Sequence, residues 1–144
     1  MVSPVHFETT IPSDTAEGLA AQEKLVSLME RFEYSGRDVF AMRLSLEEGI
    51  TNAIRHGNKF AAGKVVSINC DIDQTRMRVV VRDQGDGFEP EAVPDPTSDE
   101  FIERPSGRGL LLMRAYLDHC EYRDGGRCLL MERERNSMLP VLND

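Results

Sequence analysis

The chain has 144 residues, a size typical of one domain built around one hydrophobic core. Hydrophobic residues make up 40% and charged residues 29%, which excludes a disordered chain and predicts a globular one. The net charge of -8, without a dense lysine and arginine cluster, argues against nucleic-acid binding. The lack of a long apolar run argues against a membrane-spanning helix.

Three cysteines, Cys70, Cys120 and Cys128, are an odd number and lack the spacing of a metal site. They are predicted to be reduced, buried thiols, as expected in the cytoplasm. Residues 1–10 do not show the charged and then apolar pattern of a secretory signal. The expected location is therefore cytoplasmic.

The first elements in chain order are a strand and a helix. Residues 5–11 alternate apolar and polar positions and predict a strand. Ser13 or Asp14 can cap a helix that runs to about Phe32. The predicted inner side of this helix consists of Leu19, Leu25, Leu28, Met29 and Phe32.

A second helix is predicted from about Arg37 to His56, with Gly57 and Asn58 as its stop. Its predicted buried stripe follows three- and four-residue steps: Val39, Met42, Leu46, Ile50 and Ala53. Residues 64–72 and 75–83 then alternate as the two strands of a β-hairpin.

Residues 84–106 form a long connection with four prolines and mostly acidic charge. A connection of this length inside a compact domain is usually functional, so a lid is expected. A third helix is predicted from Ser106 to about Asp118. A final hairpin, over 120–124 and 127–134, follows it, and the last ten residues are expected to be loose.

This order of elements predicts an α+β fold with two layers, in which helices cover one face of a mainly antiparallel mixed sheet. Residues 1–135 are expected to form one domain, and residues 136–144 a C-terminal tail.

Two polar segments interrupt this framework and point to a nucleotide site. Phe40, Leu44, Glu48, Asn52 and His56 recur every four residues and therefore lie in one row on a helix, apolar at first and then polar. A Glu and an Asn one turn apart can hold a hard cation or a water beside a phosphate.

The second polar segment, residues 83–87, is a glycine-spaced turn that follows an apolar strand. There a carboxylate, Asp83, can bind a ligand next to glycine backbone that carries no side chain. The glycines of the chain do not fit the dinucleotide-binding or P-loop spacing, so a different phosphate-binding arrangement is expected.

These motifs resemble those of the GHKL ATPases, which have the Bergerat fold and include gyrase subunits, heat-shock chaperones, mismatch-repair proteins and histidine kinases. Glu48-x-x-x-Asn52-Ala-x-x-His56-Gly57 resembles their N box. Asp83-x-Gly85-x-Gly87-Phe88 resembles their first glycine box, and Gly107-Arg108-Gly109-Leu110 their second. Within this superfamily the whole chain resembles the small anti-sigma-factor serine/threonine kinases.

The resemblance implies roles for the N box. Glu48 would act as the general base or orienting carboxylate near the γ-phosphate of ATP. Glu47 competes for this role, but it is about 100° around the helix and is expected on the surface. Asn52 would bind Mg²⁺. His56 would either support the phosphates or terminate the helix.

The resemblance also implies roles for the two glycine boxes. Asp83 would accept a hydrogen bond from the adenine amino group. Gly85 and Gly87 would permit torsions and close approaches that a side chain blocks. The second box would bring a helix N-terminus to the phosphates. Its members are Gly107, Arg108, Gly109 and Leu110, and Arg108 would reach the phosphates or remain solvated.

The implied activity is a partner-switching kinase that uses ATP and Mg²⁺. Such kinases bind a sigma factor in one state and phosphorylate a Ser or Thr of a STAS-type anti-anti-sigma protein in the other. A homodimer is further expected. The acidic net charge argues against nucleic acid as a partner, and the lack of a long apolar run argues against a membrane.

Two alternative functions remain. One is a nucleotide-gated binding module with little phosphotransfer, which Glu48 argues against because binding alone does not need it. The other is a detached histidine-kinase-like ATPase. It is disfavoured because no dimerisation helix with a phosphoacceptor histidine is predicted: His6, His56 and His119 are poorly placed.

Overall fold

The computed structural model describes residues 3–87 and 108–141. The strands are β1 Val5–Pro12, β2 Val65–Ile72, β3 Arg76–Arg82, β4 His119–Arg123 and β5 Cys128–Glu134. They form one sheet in the order β1-β2-β3-β5-β4. Every strand pairing in this described part is antiparallel. The predicted mixed sheet could have included a parallel pair, and none occurs among the described strands.

Within the described residues, three helices cover one face of this sheet. They are α1 Thr15–Arg31, α2 Gly36–Asn52 and α3 Arg108–Tyr116. The strands bury alternate residues beneath them, as β2 does with Val66, Ile68, Cys70 and Ile72. The predicted α+β fold with two layers is confirmed.

The helix caps are set by short polar side chains. Asp14 caps α1, because its carboxylate accepts a hydrogen bond from the Ala16 backbone N–H at 2.8 Å. Ser13, the other predicted cap, instead donates its hydroxyl to the carbonyl of Lys64 at 2.8 Å. Ser35 caps α2 through its hydroxyl oxygen.

The second helix changes form before it ends. The α-helical part of α2 stops at Asn52, and a wider π-helical turn continues over Ala53–Gly57. The Asn58 N–H closes this turn on the Ala53 carbonyl at 2.8 Å. The predicted helix to His56 therefore has the right extent, but its last turn is π-helical, a form often found at functional sites.

The prediction that Leu19 belongs to the core is wrong, since Leu19 is 56% exposed. The buried stripe of α1 passes instead through Gly18. A methyl group at Gly18 would lie 3.0 Å from side-chain carbons of both Ile50 and Ile54, so α2 and the π-helical turn after it pack closely against α1 there. Leu19, about 100° further round the helix, points away from this contact.

The row that leads to Glu48 does not start in a packed surface. Phe40 is 56% exposed, and Leu44 is only partly buried. Phe40 instead packs edge-on against Tyr116 of α3, with 5.9 Å between ring centroids. The apolar start of the row therefore serves contact between two helices at the surface, because α2 has its core on another face.

The C-terminal segment is not loose over the residues described. Arg133 and Asp38, both fully buried, form an ion pair at 2.8 Å. The Arg133 guanidinium also donates to the carbonyls of Tyr116, Ser137 and Leu139, at 2.7, 3.3 and 3.0 Å. These bonds tie residues 137–139 to the ends of α2 and α3, which corrects the prediction of a loose end.

Two other predictions concern cysteines and the membrane. Cys70, Cys120 and Cys128 are free and buried, as predicted. No helix within residues 3–87 or 108–141 is long and apolar enough to cross a membrane. Apart from residues 84–87, the predicted lid lies outside the described residues.

Candidate nucleotide site

The end of α2 faces the end of β3 and the β4–β5 turn, and two adjoining hollows open at this place. The first hollow is lined by Gly49, Asn52, Ala53, Gly57, Val81, Asp83, Tyr122, Gly126 and Leu129. The second is lined by His56, Gly57, Lys59, Asp83, Asp86, Gly87 and Gly126. The fold therefore brings the predicted N box and first glycine box together.

Glu48 and Asn52 are joined by a hydrogen bond across one turn of α2. The Asn52 amide nitrogen donates to Glu48 Oε1 at 3.1 Å. Asn52 is buried and is also hydrogen-bonded to Tyr122 of β4, whereas Glu48 is only partly buried. Glu47 is exposed, which confirms that it is a surface residue.

The oxygens beside this hydrogen bond suit a magnesium ion. Carboxylate and amide oxygens are hard ligands, and Mg²⁺ keeps several waters and substrate oxygens in its shell. Within the described ranges, no group of three His, Cys, Asp or Glu could hold a metal without help. Asn52 is therefore a candidate ligand for a magnesium ion that phosphate oxygens and water would also have to bind.

The second glycine box meets the N box at Gly109. A methyl group at Gly109 would lie 2.5 Å from Cδ of Glu48, so a side chain there would displace this carboxylate from the start of α3. The helix N-terminus carries partial positive charge, which favours a carboxylate or a phosphate beside it. Glu48 and the N-terminus of α3 are therefore close enough to contact the same ligand.

The other members of the second glycine box are placed differently. Arg108 is the first residue of α3, and Gly107 lies outside the described residues. The Leu110 side chain is buried in the hydrophobic core, so only its backbone can face a ligand.

Asp83 lies at the end of β3 against Gly57, the last residue of the N box. A methyl group at Gly57 would lie 2.5 Å from Cγ of Asp83, so a side chain there would displace the carboxylate. Asp83 Oδ1 accepts a hydrogen bond from the Gly85 N–H at 2.8 Å. Burial raises the pKa of Asp83, while the Gly85 N–H and the charges of Arg127 and Lys64 oppose this rise.

Gly85 and Gly87 allow the chain to approach itself closely. A side chain at Gly85 would overlap the carbonyl oxygen of Gly57. Gly87 has φ +84°, and a side chain there would overlap the carbonyl oxygen of Gly125. Both glycines therefore hold the first glycine box against neighbouring backbone.

His56 lines the second hollow and is exposed. Partial burial lowers the pKa of His56, the charge of Arg55 lowers it further, and Glu48 acts in the opposite direction. The neutral imidazole is therefore favoured. Backbone bonds at Asn58 and Phe60 close the π-helical turn, and His56 is left facing the hollow.

Comparison with known proteins identifies the family. Residues 11–133 match the histidine kinase-like ATPase domain family. The chain belongs to this family. The matched range of this histidine kinase-like ATPase domain contains the predicted N box and both predicted glycine boxes.

Individual relatives support the narrower resemblance. The anti-sigma F factor of Clostridium perfringens strain ATCC 13124 is 32% identical over 102 residues, which cover 67% of this chain and 72% of the relative. Serine-protein kinase RsbW of Bacillus subtilis strain 168 is 28% identical over 121 residues, and that of Bacillus velezensis 26% identical over 121 residues. Each of these two matches covers 78% of this chain and 74% of the relative. The resemblance to GHKL anti-sigma-factor kinases is thereby confirmed.

Asn58 is a residue of this histidine kinase-like ATPase domain whose role the motif analysis missed, since it was predicted only as part of a helix stop. It is buried, and its amide nitrogen donates to Ser13 Oγ and to the carbonyl of Val65, both at 3.0 Å. Its amide oxygen accepts from the Gln84 N–H at 2.7 Å. Asn58 thus ties the N box to the residue after Asp83, through partners far away in sequence.

Tyr122 and Arg127 were missed as well. Tyr122 lines the first hollow, and burial is the main cause that raises its pKa. Arg127 donates to backbone carbonyls of the first glycine box. Neither belongs to a motif, and no sequence signal marks them, because β4 and β5 reach the site only after the sheet has formed.

Proposed function

We propose that this histidine kinase-like ATPase domain is an ATP-dependent protein-serine/threonine kinase and an anti-sigma factor. It would phosphorylate a Ser or Thr of a STAS-type anti-anti-sigma protein and sequester a sigma factor. The observation that carries the proposal is the convergence of Glu48, Asn52, Asp83 and Gly109 on one end of α2, where a protein kinase would need them to bind ATP and act on its γ-phosphate. The printed names of the relatives, an anti-sigma F factor and a serine-protein kinase, support the same reading.

The proposed chemistry divides between Asp83, at the end of β3, and the two N-box residues Glu48 and Asn52 of α2. Asp83 would accept a hydrogen bond from the adenine amino group, which guanine replaces with a carbonyl. Asn52 would hold Mg²⁺, which neutralises developing charge on the phosphates when it is bound. Glu48 would orient the attacking hydroxyl of the protein substrate and take its proton.

A second candidate is a nucleotide-gated binding module with little phosphotransfer. One observation favours it: the Glu48 carboxylate already accepts the Asn52 amide and lies against Gly109, so it is engaged within the protein. A detached histidine-kinase-like ATPase is the third candidate.

Incubation with γ-labelled ATP and STAS-domain proteins of the same genome separates the three candidate functions. Label on a Ser or Thr would support the kinase. Nucleotide binding without turnover would support the binding module, and release of phosphate without labelled protein would support the ATPase.

The adenine and magnesium assignments make one prediction. Asp83→Asn is expected to weaken ATP binding by about 1–3 kcal/mol. The Gly85 N–H should hold the amide oxygen of the new side chain, so that its amide nitrogen, a donor, meets the adenine amino group. Asn52→Ala should chiefly reduce the part of ATP affinity that depends on magnesium.

Isothermal titration calorimetry with ATP, with and without Mg²⁺, measures both effects. Asp71→Asn on the exposed part of β2 is a matched control that should bind ATP normally. Unchanged ATP affinity in both site variants would refute the nucleotide site itself.

Partner switching makes a separate prediction. The affinity for a sigma factor should differ between the ATP and ADP states, because a ligand shifts an equilibrium only through differential binding. An unphosphorylated STAS protein should compete for the kinase. Its phosphorylated form should not, because about two added negative charges would be repelled by a chain of net charge -8.

Pull-downs from the native host with ATP and then with ADP test this prediction. Recovery of neither a sigma factor nor a STAS protein in either state would refute partner switching and leave the ATP site intact. The same proposal includes a cytoplasmic homodimer. Light scattering during size-exclusion chromatography at several concentrations measures the oligomeric state.

A further inference from the structure

Arg127 binds the backbone of the first glycine box from the β4–β5 side of the site. It follows the β4–β5 turn and is partly buried. Its Nε donates to the Gly85 carbonyl at 2.8 Å, and Nη2 donates to the Asp86 carbonyl at 2.9 Å. Nη1 donates to the carbonyl of Asp124, in its own turn, at 3.2 Å. One guanidinium therefore joins two segments about 40 residues apart in the chain.

The backbone around Arg127 is shaped to hold this guanidinium. A methyl group at Gly87 would lie 3.4 Å from Arg127 Cζ, and one at Gly125 would lie 3.1 Å from Nη1. Both glycines have positive φ, +84° and +63°, which other residues rarely adopt. The guanidinium thus lies in a narrow slot between the tip of the glycine box and the β4–β5 turn.

Arg127 also fixes the start of the glycine box. Its backbone carbonyl accepts the Asp83 N–H at 2.9 Å, so the loop is held at Asp83 as well as at its tip. The positive charge of Arg127 favours the ionised form of Asp83, as does that of Lys64. The other charged or titratable groups at the adjoining hollow are His56, Lys59 and Asp86.

We propose that Arg127 is a positioning residue of the adenine-binding half of the site, which holds residues 83–87 in the shape that presents Asp83 to the base. The inference rests on the proposed function, since it assumes that Asp83 meets adenine. Arg127 acts through the loop and has no assigned contact with the phosphates. The planar fork of arginine, with three donors in use, is needed for this task, and lysine offers a point charge in its place.

The test compares ATP and ADP affinities by calorimetry in the wild type, Arg127→Gln and Arg127→Lys. Both variants are expected to lose about tenfold in affinity for each nucleotide, by the same factor, because the lost positioning concerns the base that ATP and ADP share. Arg123→Gln is the matched control: Arg123 lies on the same hairpin and its Nε donates to Glu121 at 2.6 Å. That variant should bind both nucleotides normally.

Each other outcome overturns the proposal. A loss for ATP much larger than for ADP would make Arg127 a phosphate contact. Wild-type affinity in Arg127→Lys would show that charge alone suffices. A loss that comes with a fall in thermal stability larger than that of the Arg123→Gln control would indicate a merely structural role. If the wild type binds no ATP, the proposed function itself fails. Normal wild-type binding with unaffected variants refutes only the role of Arg127.

Discussion

Replacing Glu48 with Gln is expected to reduce phosphotransfer to a STAS substrate by on the order of a hundredfold or more. Gln keeps the size and polarity of Glu but cannot accept the proton of the attacking hydroxyl. Its amide oxygen can still accept the hydrogen bond from the Asn52 amide, which wild-type Glu48 accepts at 3.1 Å. ATP affinity should therefore change little, and the loss should appear in the turnover rate.

The measurement is single-turnover transfer from labelled ATP, with ATP affinity determined in parallel. Glu47→Gln is the matched control, since Glu47 is the exposed neighbour on the same helix. It should transfer phosphate at the wild-type rate. A fully active Glu48→Gln beside an inactive Glu47→Gln would reverse the assignment between the two carboxylates. Full activity in both variants would mean that neither acts as the base.

Replacing Arg133 with Met is expected to destabilise the fold by about 3–5 kcal/mol, because it leaves Asp38 buried without its charge partner. The substitution removes hydrogen bonds as well as the ion pair. The carbonyls of Tyr116, Ser137 and Leu139 lose a shared donor, and buried acceptors without partners are destabilising. Arg133→Lys keeps the charge but not the fork, so it should lose less than Arg133→Met.

Urea unfolding followed by circular dichroism measures this difference. Arg76→Met is the control, because Arg76 forms an ion pair with Glu132 at 2.8 Å on the same sheet but is largely exposed. Exposed pairs contribute at most about 1 kcal/mol. If Arg133→Met cost no more than Arg76→Met, the buried network would not be what holds the C-terminal segment to α2 and α3.

The sequence by itself determined the features that depend on short-range spacing. Glu48 and Asn52 are four residues apart, and on any helix that spacing places them on one face. The two hairpins follow from alternating strands and their turns, which involve only neighbouring residues. The family follows from the order of its motifs, and the match over residues 11–133 confirms it.

Helical spacing was a less reliable guide to which apolar residues of α1 and α2 are buried. Leu19 and Phe40 were placed in apolar rows, yet both are about half exposed, since a helix pattern cannot tell which side another element will cover. The approach of α1 and α2 at Gly18 decided this, and no spacing in α1 alone predicts it.

Only the tertiary structure decided which polar groups meet over long distances in the chain. Asn58 reaches Gln84, 26 residues later, and Arg127 reaches back 42 residues to Gly85. Arg133 pairs with Asp38 across 95 residues. Each of these side chains satisfies backbone or charged groups that folding buries, and a buried polar group is stable only with a partner. Such partners are set by the packing of the sheet and helices, which is why local pattern alone could not reveal them.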